Sequence, residues 1–139
     1  MPRARLCPAI ALCIAGALPA GAGDKTALDL GGVTYSAADI AAGERTFERK
    51  CFKCHGIDGK NYQGPHLDGV LGRPVGSVPG FSYSEAMQAV DGTWTLPRLQ
   101  AYLTDPRDYI EGVAMSFGGF GEDTAERDRL IAFLASVSR

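Results

Sequence analysis

Five consecutive residues, Cys51-Phe52-Lys53-Cys54-His55, restrict this chain more than any other feature in it. Two residues between the cysteines set the sulfurs about one helical turn apart, with an imidazole on the very next residue. That arrangement suits the two vinyl groups on one edge of a haem, with the histidine able to swing over the macrocycle to the iron. Three other readings compete for the same residues. A zinc site needs about four ligands, and beyond His55 the chain has only one more histidine, His66. A thioredoxin-like dithiol calls for alternating strands and helices around it, and no segment shows sustained period-two alternation. A plain structural disulfide is the last competitor.

The other two cysteines, Cys7 and Cys13, lie in a stretch that reads as a targeting segment. Arg3 and Arg5 form a short basic head, Leu6 to Ala17 is uncharged and mostly apolar, and Ala20-Gly21-Ala22 supplies small residues for cleavage. This is the layout of a secretory signal peptide, expected over residues 1–23, and it implies a periplasmic protein. An uncleaved anchor is the alternative. Pro8, Gly16, Pro19 and Gly21 argue against it, interrupting a run short for a bilayer that needs about 20 apolar residues. Cys13 raises a lipid-attachment reading, which the bulky Leu12 before it disfavours. Loss of this segment removes Arg3 and Arg5 and takes the formal charge from −2 to −4. An acidic chain without a basic run is a poor nucleic-acid binder, so no such partner is expected.

Residues 24–35 contain glycines without periodicity and read as a flexible leader. Residues 36–139 form a single domain. Ser36 with Asp39 makes a capping-box pattern, and Ile40, Gly43, Phe47 and Cys51 follow at helical spacing. From Gly56 to Gly80 the chain is rich in turn residues. Ser84 to Val90 suggests a short helix. Thr95 caps another, with Pro97 in its first turn, and Thr104-Asp105-Pro106 ends it. Residues 106–121 read as loop. Asp123 with Glu126 forms a second capping box, before a stripe of Leu130, Phe133, Leu134 and Val137. The expected fold is all-α, with short helices separated by long loops. Loops of this length are unusual in so small a domain; a large internal ligand on which they pack accounts for them.

An iron held by His55 has three candidate second ligands: His66, Met87 and Met115. His66 lies close to His55 in a turn-rich loop and is expected on the same side of the ring. Met87 sits in a helical stretch, where core packing is the default for a methionine. Met115, in a loop 60 residues beyond His55, is free to approach from the other face.

Taken in order, these residues resemble the class I cytochromes c of the mitochondrial and bacterial c2-like branch, over about residues 36–138. Gly43 and Phe47 are similar to the pair on the first helix that packs against the last. Cys51, Cys54 and His55 match the attachment motif, and Gly64-Pro65 with Leu67 and Gly69 the GPxLxG segment. Leu71-Gly72-Arg73, then Pro79-Gly80-Phe81-Ser82-Tyr83, resemble LFGR…PGFxY. Trp94, the run Pro106 to Ile110 and the Met115-Ser116-Phe117 triplet also fall in place. The resemblance implies one covalent haem c with His55 and Met115 as axial ligands. It further implies a Pro65 carbonyl accepting from His55, and Tyr83 and Trp94 donating to a propionate with Arg73 nearby. Tyr102 would bond near the Met115 sulfur.

The resemblance implies a fold wrapped around that haem and a monomeric single-electron carrier rather than an enzyme. Donors of the dehydrogenase or bc1-type class and acceptors of the oxidase or reductase class would be its partners, with membranes met only through them or through an uncleaved anchor. A dedicated haem subunit of a dehydrogenase or oxidase is the alternative, and a peroxidase a remoter one. Departures are informative. Val113 and Met87 replace polar residues of a small buried network near Tyr102. Ala114, Ser116 and Gly118 stand where lysines usually ring the haem edge, leaving Lys50, Lys53 and Lys60 near the attachment site.

Overall fold

The computed structural model describes residues 27–137; the expected signal segment, residues 1–23, lies outside them. Five helices follow a hairpin: β1 (Leu28–Leu30), β2 (Val33–Tyr35), α1 (Ala37–Lys50), α2 (Glu85–Gln88), α3 (Leu96–Thr104), α4 (Pro106–Tyr109) and α5 (Thr124–Ser136). The caps form where local chemistry asks for them. Ser36 accepts from the Asp39 N–H and Asp39 answers at the Ser36 backbone, closing the box at the start of α1. Ser84 and Thr95 accept from Met87 and Arg98 at the starts of α2 and α3. Each satisfies a donor that the first turn would otherwise leave unpaired.

Two segments depart from expectation. The stretch read as irregular leader pairs with itself, Leu28 against Tyr35 and Leu30 against Val33. Gly31 and Gly32 take φ of 61° and 81° to make the turn, the two left-handed residues that a tight hairpin requires. Residues 106–109, read as loop, wind into the single turn α4, because Asp105 accepts from both the Arg107 and Asp108 N–H groups and Pro106 occupies the first position.

Helices α1 and α5 form the centre of the fold. Gly43 is the point of closest approach: a Cβ there would fall 2.0 Å from the Arg129 carbonyl oxygen. Phe47 then packs on Phe133 with ring centroids 5.7 Å apart, both almost fully buried. Truncating either aromatic would cost about 3–5 kcal/mol.

The second capping box is only half made. Asp123 accepts from the Glu126 N–H at 3.0 Å, but the Glu126 carboxylate leaves its own helix for α1. Its Oε1 accepts from Arg49 Nη2 at 2.8 Å and from the Thr46 hydroxyl at 3.0 Å. Thr46 is 2% exposed. With these charge-assisted bonds, Glu126 ties the two helices together instead of closing its own first turn.

Candidate functional site

Between α1, α3, α5 and the loops lies a cavity of about 450 Å³, within the range of small-molecule sites. Cys51, Cys54 and His55, just past the end of α1, line it. Met115, from the loop after α4, lines the same space. Leu67, Val70, Leu99, Leu103, Leu130 and Leu134 supply apolar walls.

Cys51 and Cys54 are free thiols, not bonded to each other. Burial pushes the Cys51 thiol up to about 12, the reverse of the low value that a reactive dithiol needs. The His55 Nδ1 lies 2.7 Å from the Pro65 carbonyl. A carbonyl only accepts, so Nδ1 carries the proton and Nε2 keeps its lone pair. Burial also holds the imidazole below its ordinary pKa, against the opposing pull of Pro65, which favours the neutral ligand form. Gly64 makes this pose possible: a Cβ there would stand 2.3 Å from His55 Cε1 and 2.6 Å from Nδ1. The Gly64 N–H is itself tied to the Cys54 carbonyl at 2.7 Å.

Tyr102, buried on α3, donates its hydroxyl to Met115 Sδ at 3.2 Å. Burial raises its pKa to about 12, so at neutral pH it remains a donor. The Tyr102 ring stands 4.9 Å from that of Trp94. Met87 and Val113, the apolar residues in place of polar ones, line the cavity as well.

Arg73, Tyr83 and Trp94 also line the cavity. Arg73 donates to the carbonyls of His66 at 2.8 Å and Asp68 at 3.1 Å. No carboxylate pairs with it among the described residues, so its charge remains available to an anionic group. The Tyr83 oxygen accepts from the Val78 N–H at 3.3 Å, which leaves the phenol proton for another acceptor. His66 lies outside the cavity lining, 2.9 Å from Asp68. These observations together fit a haem: thiols and a lone-pair nitrogen for attachment, a thioether within the same cavity, apolar walls, and donors for carboxylates.

Sequence reasoning did not single out Glu126 as a tie to α1, nor Arg107, whose Nη2 donates to the Ser116 carbonyl at 2.9 Å. The Asp105-Pro106 pair that builds the turn carrying Arg107 was the signal available for the second. Long-range pairing of Glu126 left no local signal.

A family model described as cytochrome c matches residues 40–138. The chain is 48% identical over 101 residues to "Cytochrome c-type cyt cy" of Rhodobacter capsulatus, covering 73% of itself and half of that relative's length. It is 44% identical over 97 residues to cytochrome c2 of Rhodoplanes tepidamans, covering 68% of itself and 89% of the relative. Among solved structures, cytochrome cH from Methylobacterium extorquens superposes with a TM-score of 0.66 at 36% identity, covering 70% of this chain and 98% of that one.

Proposed function

The chain belongs to the cytochrome c family, and on that premise we propose that it is a periplasmic carrier whose His55 and Met115 hold the iron of one haem c. Membership makes it a monohaem electron-transfer protein and not an enzyme. The observation that carries the ligand assignment is the shared cavity: Cys51, Cys54, His55 and Met115 all face it, and both ligand side chains are already held.

Each residue then has a definite task. Cys51 and Cys54 attach the group covalently, so that it is not lost at low concentration in the periplasm. Bound there, the haem iron supplies a couple between two states differing by one electron and one positive charge. Pro65 fixes the His55 ring and increases the donor strength of Nε2. Tyr102 orients the Met115 sulfur. The apolar walls disfavour the extra charge of the oxidised state and so raise the potential. Arg73, Tyr83 and Trp94, which line the cavity, would hold the propionates inside the protein. With His55 and Met115 both engaged, the iron would offer substrates no open site, which suits brief contacts with redox partners over a small interface.

Residues 1–23 are proposed as a cleaved signal peptide and residues 36–139 as the haem domain, with the β1–β2 hairpin in the segment between them. Dehydrogenases or bc1-type complexes as donors, and oxidases or reductases as acceptors, fit the carrier role. Intact mass of the full chain matured in a haem-attaching host tests this reading. The expected product lacks residues 1–23 and carries one haem bound covalently. A product that retains that segment would make it a tethered carrier, and one without covalent haem would defeat the assignment.

A further inference from the structure

The segment that carries Met115 is held by backbone hydrogen bonds at its ends and by none between. At one end Asp105 caps α4, and Val113 N–H bonds to Ile110. At the other, Phe120 and Gly121 bond through their N–H groups to the carbonyls of Leu103 and Thr104, at 2.9 and 3.0 Å. Among the described residues, no backbone group from Ala114 to Gly119 bonds to another backbone group. Phe117 packs on Phe120 with ring centroids 5.2 Å apart, and two side chains supply hydrogen bonds to the stretch. Tyr102 bonds the sulfur from inside, and Arg107 bonds the Ser116 carbonyl from outside at 2.9 Å.

We propose that Arg107 is a positioning residue for Met115: an outer latch that sets how often the loop lifts the sulfur away from the iron. This rests on the reading of Met115 as an axial ligand. The argument is one of local stability. A stretch with no backbone ladder opens locally at low cost, and each bond that spans it lowers the open population. Arg107 stands on a turn whose own geometry is fixed by Asp105 and the buried Pro106, so its guanidinium bonds the loop from a rigid base. Its target is the carbonyl of Ser116, the residue next to Met115, so a displacement there is passed along the chain to the sulfur. Because Arg107 and Ser116 are both exposed, losing the bond leaves no buried group unpaired, and the global fold should barely register the change.

The test uses the oxidised holoprotein with imidazole as an entering ligand. At saturating imidazole, replacement of the methionine proceeds at the rate of loop opening. In Arg107→Gln this limiting rate should rise roughly two- to tenfold, the range for losing one net hydrogen bond. Arg107→Lys, which keeps the cation without the planar fork, should fall between. The denaturant midpoint should stay within error of the parent. A limiting rate equal to the parent's overturns the latch, as does a faster rate matched by an equal loss of global stability. If the parent protein itself lacks the far-red absorption of a sulfur-bound ferric haem, the ligand reading fails first, and the latch with it.

Discussion

The backbone at Gly64 lies so close to His55 that a Cβ there would stand 2.3 Å from the imidazole Cε1. The ring is therefore confined between the Gly64 peptide on one side and the Pro65 carbonyl at Nδ1. Gly64→Ala should displace the ring or the loop, with an overpacking cost of about 1–3 kcal/mol. Denaturant unfolding of the holoprotein measures the loss, and the yield of covalent haem should fall with it. A fully stable, fully loaded variant would mean that the ring has room to move.

Tyr102→Phe keeps the aromatic packing and removes the donor to Met115 Sδ. A donor draws electron density from the sulfur and so favours the reduced state. The variant should have a lower potential than the parent, read by potentiometry, while the change in stability remains about 1 kcal/mol or less. An unchanged potential would reduce Tyr102 to packing.

Glu126→Gln weakens the tie between α5 and α1 by removing the charge that Arg49 faces at 2.8 Å. Arg49 is more than half exposed, so solvent screening limits the effect. The expected loss is about 1 kcal/mol, smaller in high salt than in low. Urea midpoints at two ionic strengths check both parts. Glu126→Ala should cost more, since it also removes the acceptor for the buried Thr46 hydroxyl proton.

Asp39 provides the pH dependence. Its hydrogen bonds from the Ser36 side chain and backbone, and then Arg129, hold its pKa below the ordinary 3.8. A carboxyl lowered on folding stabilises the native state above its unfolded pKa, and that contribution is lost as pH falls through the lowered folded value. Between the parent and Asp39→Asn, the difference in stability should thus be constant above about pH 5 and shrink below 3.8. Thermal midpoints across that range would show it; a difference that widens on acidification would have the wrong sign.

Much of this was legible in the sequence because the signals are local. Ser36, Ser84 and Thr95 each cap the helix that follows because a cap depends on three or four neighbouring residues. The stripe from Leu130 to Leu134 and the pairing of Gly43 with the last helix followed from periodicity and from family resemblance. What escaped was short or distant. Strands of three residues such as Leu28–Leu30 are too brief for an alternation to register, and Gly31-Gly32 reads equally as linker or turn. Glu126 satisfies every local rule for a capping box, yet its carboxylate answers to Arg49, 77 positions away. Likewise, nothing in the string Arg107 to Ser116 announces that the first residue reaches the carbonyl of the last. The Met115 neighbourhood was legible in its residues, while the bonds that hold it became visible only in three dimensions.

The most direct measurement is the absorption spectrum of the matured, oxidised protein in the far red, set beside that of Met115→Ala. If His55 and Met115 bind the iron, the parent shows the weak sulfur-to-iron band and sharp bands on reduction, and the variant loses the far-red band while keeping covalent haem. A far-red band that survives Met115→Ala, or one missing from the parent, would contradict the assignment and place another group on the iron.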